Sequence, residues 1–216
     1  MQTLTELVLA SELRARVFSE REIDWLTEGS AQRRYNLVNR ALKAGEVIRL
    51  ARGVYILNPD ISGVRPHSFV VAQALRPGSF VSFESALGWH GCIPEAVRQI
   101  RCTVPGRRKA RFNLPSYGEY RFIPAPVVPG RLLAGVRRKR LTAGTALIAD
   151  PVRALLDLVC HRKVEPEALS EFVGGLRLDE GWLTALGAAD VHRYGGVYRF
   201  RRMKDVIEKL AEGRKA

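Results

Sequence analysis

Residues 30–57 read "SAQRRYNLVNRALKAGEVIRLARGVYIL", and the fold of the amino-terminal part turns on how this stretch divides. Ser30 is a helix N-cap by residue type, because its hydroxyl accepts from an orphan N–H of the first turn. Gly45 suits the left-handed position that ends a helix. Beyond it, "VIRL" and "GVYIL" are rich in β-branched and aromatic residues around a tight Ala51-Arg52-Gly53 turn, which predicts a hairpin. Upstream, "SEREIDWL" (19–26) opens with Ser19 and has Glu22 three residues on, the spacing of a capping box. Ile23, Trp25 and Leu26 are its expected buried side. Residues 3–14 predict an earlier amphipathic helix built on Leu4, Leu7, Val8 and Leu13. Three helices and a hairpin within residues 1–60 predict a winged helix-turn-helix.

Charge sharpens that expectation. Ser30–Leu57 carry six cations (Arg33, Arg34, Arg40, Lys43, Arg49, Arg52) against one acid, Glu46, whereas the preceding 29 residues hold three cations and six acids. At 100° per residue, Ala31, Tyr35, Val38 and Leu42 share one side and read as the core stripe. The other side collects Gln32, Arg33, Asn36, Asn39, Arg40 and Lys43. Arginine reads guanine and asparagine or glutamine reads adenine through paired hydrogen bonds, so Gln32, Arg33 and Asn36 at the helix start are expected base readers. Lys43 suits phosphate, and Arg49 and Arg52 belong to the basic hairpin, with Arg52 at the tip where a wing meets the backbone or minor groove. A merely solvated face is the competing reading. The lack of any acid on it, the preceding helix with its short turn, and the basic hairpin favour contact with double-stranded DNA.

The whole chain has 216 residues, 46% hydrophobic and 26% charged, so it can bury a core. Its net charge of +13 implies a polyanionic partner. No run of ~18 apolar residues is present, and "MQTLTELVLASELRAR" lacks the marks of a signal peptide, so no membrane partner and a cytoplasmic location are expected. Cys92, Cys102 and Cys160 are odd in number and irregular in spacing, as reduced thiols are.

"NPDISGVRPHS" (58–68) reads as a linker, and residues 61–216 as a mixed α/β domain. Strands are expected at 79–83, in "RQIRCTVP", "EYRFIPA" and "RLLAGVRR", and running into Asp150; loops are expected at 105–118 and 124–130. Asp150 is an expected N-cap with Pro151 at N1, and "PEALSEFVGGL" and "MKDVIEKLAEG" are helical. The fold class is therefore α+β, a winged helix-turn-helix followed by a mixed α/β domain. Two acid-free clusters stand out: Arg98, Arg101, Arg107, Arg108, Lys109 and Arg111, then Arg131, Arg137, Arg138, Lys139 and Arg140. They read either as solvated loops and guarded strand edges or as a second polyanion surface for flanking DNA or RNA.

Catalytic patterns are thin. No P-loop, dinucleotide fingerprint or G-x-S-x-G elbow occurs. His90, Cys92, Cys102, Cys160 and His161 match no zinc spacing, so neither metal nor other cofactor is expected. Asp150 and Asp157 lie seven apart on a helix, which a metal-dependent nuclease would use; an N-cap and a polar helix position explain them more simply. The chain reads as a non-enzyme, with a nuclease or a nonspecific RNA-binding protein as the alternatives.

The segment "RALKAGEVIRLARGVYIL" resembles the amino-terminal winged helix of AbiEi-type antitoxins, with Leu42, Gly45, Ile48, Leu50, Arg52, Gly53, Val54 and Tyr55 carrying the pattern. "FVSFESALGWHGCIPEAVRQIRCTVPGRR" and "ALIADPVRALLDLV" are similar to later segments of that family, so the resemblance spans about residues 18–205. It implies a bacterial phage-defence regulator that represses its own operon at promoter inverted repeats. Its functional partner would be the nucleotidyltransferase-like toxin of a type IV system, with no stable complex required.

Overall fold

The computed structural model describes residues 2–94 and 99–213. Among them the protein is a mixed α+β chain of eleven α-helical segments and two sheets. It divides into two compact units, residues 1–77 with 139–146, and residues 78–138 with 147–216.

In the first unit, α1 (Leu4–Leu9) starts at Thr3, which forms a reciprocal capping box with Glu6. Ser11 then caps a separate 3-10 turn, Glu12–Ala15, so the single helix expected over 3–14 is two pieces. A serine whose hydroxyl accepts from Leu13 N–H offers the backbone an alternative to helix continuation. Strand β1 (Phe18–Ser19) leads into α2 (Glu20–Leu26), whose Ser19–Glu22 capping box forms as the spacing predicts. Helix α3 (Ala31–Lys43) runs from the Ser30 cap to Gly45, which takes φ +69°. Strands β2 (Val47–Ala51) and β3 (Val54–Leu57) pair antiparallel, and β1 joins β3 from the other side. Leu4, Val8, Phe18, Ile23, Leu37, Val38, Val47 and Leu57 are among the residues that fill the core between these elements.

Two aromatic residues lie opposite to expectation. Trp25 is 73% exposed, with Arg21 stacked on its ring, and Tyr35 is 63% exposed. The buried stripe of α3 is Leu37, Val38 and Ala41. It is rotated about 80° from the stripe of Ala31, Tyr35, Val38 and Leu42. The rotation brings Arg34 to Asp24 of α2 at 2.6 Å, a tie that the other phase would forgo. Residues 58–68 hold a one-turn helix, α4 (Pro59–Ser62), capped by Asn58; α5 (Ser68–Leu75) follows.

The second unit is built on β4 (Phe80–Val81), α6 (Phe83–Trp89), β5 (Gln99–Val104), β6 (Ala110–Leu114) and β7 (Gly118–Pro124), with the start of β8 (Val136–Leu141) and the end of β9 (Gly144–Ala149). The six-stranded sheet runs β6-β7-β5-β4-β9-β8, parallel at β5–β7 and β4–β9. The turn between β8 and β9 lies in the part of the hairpin grouped with the first unit. Strand β6 occupies the middle of the expected 105–118 loop, and the strand expected at 131–138 begins only at Val136. Helix α7 (Pro151–Arg162) starts at Asp150, whose carboxylate accepts from Arg153 N–H, and is buried on every side from Val152 to Cys160. Helices α8 (Leu169–Gly175), α9 (Glu180–Ala185), α10 (Ala188–His192) and α11 (Arg201–Glu212) complete the unit.

One turn apart on α7, Arg153 and Asp157 form a fully buried ion pair, Nε to Oδ1 at 2.9 Å. Asp157 also accepts from Ser82 (2.7 Å), Thr103 (3.2 Å) and Tyr198 (2.7 Å). Arg153 Nη1 donates to the carbonyls of Leu132 and Ala134. Its Nη2 has no acceptor among the described residues; the faces of Phe80 (5.1 Å) and Tyr198 (5.7 Å) are the electrostatic compensation left to it. Burial works against the guanidinium's charge, yet Asp157 and Tyr198 more than offset it and Arg153 titrates above its ordinary range. The polar helix position expected of Asp157 is thus an internal anchor. Asp157→Ala should lower stability by about 3–5 kcal/mol in urea unfolding, because it strands a buried cation. Asp24→Ala, which removes a half-exposed partner, should cost no more than about 1 kcal/mol.

Candidate nucleic-acid interface

On α3, Gln32, Arg33, Asn36, Arg40 and Lys43 are exposed and Asn39 is half-buried. Their hydrogen bonds are local: Gln32 donates to Asn36 Oδ1 at 3.2 Å, and Arg40 Nε to the Asn36 carbonyl at 3.3 Å. None of the six has an ion-pair partner among the described residues. The last turn carries Arg40 and Lys43, which suit the negative end of the helix dipole, but the first turn has no acid. Arginines near the positive end cost a few tenths of a kcal/mol. A helix selected for its own stability would place acids there.

Arg49 lies on β2 with its guanidinium carbon 5.6 Å above the Tyr55 ring, and Arg52 is exposed at the β2–β3 turn, where Gly53 takes φ +72°. Tyr35, Asn39, Arg49 and Arg52 line one groove of about 350 Å³ between α3 and the hairpin. Glu20 and Asp24 of α2 also border it, Asp24 being held by Arg34. Tyr35 is the member that periodicity assigned to the core. Its phenol adds a hydrogen-bonding group and an exposed ring to the basic face.

The two later basic clusters are less uniform than the chain order implies. Arg98 lies outside the described residues. Arg101 is paired with Glu84 at 3.1 Å, and Arg111 with Glu119 at 2.6 Å. Carboxylates from α6 and β7 therefore enter a cluster that is acid-free along the chain. Arg107, Arg108 and Lys109 remain exposed in the β5–β6 connection. Arg137, Arg138, Lys139 and Arg140 are four consecutive exposed residues of β8, an edge strand. Cations there obstruct pairing with another strand. The other edge is β6, which carries Arg111 of the first cluster.

The residues weighed for chemistry are otherwise engaged. Asp150 takes Arg153 N–H on one oxygen, and Arg193 (2.9 Å) and Tyr194 (2.5 Å) on the other. Asp157 is enclosed by its four donors, so neither carboxylate offers a free oxygen pair to a cation. His90 ends α6 and its Nε2 lies 3.0 Å from the Ala149 carbonyl. Among the described residues no three His, Cys, Asp or Glu side chains gather as metal ligands, and no helix is long and apolar enough to cross a membrane.

No family model matches the chain, and no curated protein matches it.

All three thiols are buried and free. Burial pushes Cys92 and Cys160 up to about 11, with Asp179 and Asp157 respectively adding to the shift, and pushes Cys102 higher still. Native protein at about pH 8 should therefore resist iodoacetamide, and urea-unfolded protein should take up label on all three cysteines in intact-mass spectrometry.

Proposed function

We propose that the amino-terminal part is a winged helix-turn-helix that binds promoter DNA sequence-specifically, and that the chain is the autorepressing antitoxin of a type IV toxin–antitoxin pair. The observation that carries the DNA-binding part is the exposed face of α3, which has cations and amides, no acid, and a basic hairpin tip beyond a shared groove. In this reading α3 enters the major groove with Gln32, Arg33 and Asn36 toward the bases. Lys43 and Tyr35 meet phosphates, and Arg52 reaches the flanking backbone or minor groove. Inverted repeats would seat two copies. The antitoxin part rests on the order of the AbiEi-like motifs and names a nucleotidyltransferase-like toxin as the functional partner.

On DNA from upstream of its own gene, Arg33→Ala or Asn36→Ala should cost about 1–3 kcal/mol and relax base preference at one position. Lys43→Ala should weaken operator and scrambled DNA alike and flatten the salt dependence. Gel-shift titrations that show equal losses on both DNAs for all three variants would reject base readout. The antitoxin assignment fails if co-expression of this chain does not relieve growth arrest by the neighbouring gene product.

A further inference from the structure

Two cavities of the second unit adjoin along Lys109, Pro124, Ala125, Pro126 and Phe200. Their volumes, about 580 and 650 Å³, each suit a nucleotide-sized group. Six cations line the pair: Arg107, Lys109, Lys163, Arg199, Arg201 and Arg202. They come from the β5–β6 connection, the end of α7 and the start of α11, three segments that are distant in the chain. The two acids of the lining are neutralised, Asp157 by Arg153 and Glu165 by Arg202 at 3.7 Å. Arg199 and Arg202 are also anchored on carbonyls, of Val127 and of Val164 and Cys160. Arg107, Lys109, Lys163 and Arg201 are exposed and have no ion-pair partner among the described residues. The field is felt at His161, which burial, Arg101, Arg162 and Lys109 together hold below the usual histidine range.

Phe200 stands between the two cavities, 51% exposed, beside the apolar walls of Pro124, Ala125 and Pro126. Duplex DNA offers phosphates to a cationic ridge but keeps its base faces stacked inside. An unpaired strand offers both a phosphate track and a base face free to stack. We infer that this groove binds a single-stranded polynucleotide, with its phosphates along Lys109, Lys163 and Arg201 and one base stacked on Phe200. The site is separate from the α3 face and does not depend on the function proposed for it.

The test is fluorescence anisotropy of the full chain with a labelled mixed-sequence RNA dodecamer, its DNA counterpart and the matching duplex. The duplex, which the α3 face is proposed to bind, is the control, and Phe200→Ala should leave its affinity unchanged. Phe200→Ala should weaken single-strand binding by roughly ten- to a hundred-fold, the scale of one lost base stack, and Phe200→Tyr should retain it. Lys109→Ser with Lys163→Ser should reduce the slope of log affinity against log salt by about 1.4, two phosphate contacts' worth. Arg33→Ala on α3 should leave single-strand binding unchanged. The inference is overturned if Phe200→Ala binds single strands like the unmodified chain, if it weakens the duplex as much as the single strands, if Arg33→Ala abolishes single-strand binding, or if polyglutamate displaces the RNA with no dependence on Phe200.

Discussion

Arg153 and Asp157 sit four residues apart on α7 at almost no exposure, where neither charge retains water. Desolvation costs such a pair several kcal/mol per ion, and mutual attraction alone offsets this incompletely. The remaining compensation comes from groups that must be brought from elsewhere. Ser82 follows β4, Thr103 lies on β5, Tyr198 precedes α11, and the Leu132 and Ala134 carbonyls belong to the β7–β8 connection. A shift in any of these leaves a donor or acceptor unmatched in a low-dielectric interior. The pair therefore specifies how the central strands, α7 and the entry to α11 are set against one another. Because Tyr198 is fixed inside, Phe200 is delivered to the surface two residues on.

The first unit divides its charge in the opposite way. Its core is apolar, and three of its acids have fixed partners: Glu46 accepts from Thr5 at 2.6 Å, Asp24 holds Arg34, and Glu22 closes the α2 capping box. With these carboxylates committed, the outer face of α3 is left with Arg33, Arg40, Lys43 and amides. Such a face has no internal reason to be positive. In the proposed reading an external polyanion supplies one, since each phosphate contact releases condensed counterions.

Local rules hold where the physics is local. A cap involves residues three apart, so the Ser19–Glu22 box, the Ser30 and Asp150 caps and the Gly45 terminus were all visible in the chain. The phase of α3 was not. Ala31, Tyr35, Leu37, Val38, Ala41 and Leu42 are apolar or aromatic over an arc of about 160°, wider than one core stripe needs, so periodicity admits two stripes. The tie between Arg34 and Asp24 belongs to the phase that buries Leu37 and exposes Tyr35. Strand β6 was hidden for a related reason, because its edge position lets Arg111 and Asn113 alternate with apolar residues in a stretch that looks like a charged loop.

Sequence by itself determined the α+β class, the Ser19, Ser30 and Asp150 caps, the Gly45 terminus, the hairpin and the six-cation bias of residues 30–57, since composition and short-range hydrogen bonding set these. Only tertiary structure decided which charges are spent inside. The i,i+4 spacing of Arg153 and Asp157 suits a surface helix pair as well as a buried one, and nothing near Glu84 or Glu119 marks them as partners of Arg101 and Arg111. Likewise Lys109, Lys163 and Arg201 become one groove only when a turn, a helix end and a helix start meet. Electrostatic energy depends on distance through space and on local dielectric, and neither quantity is a function of separation along the chain.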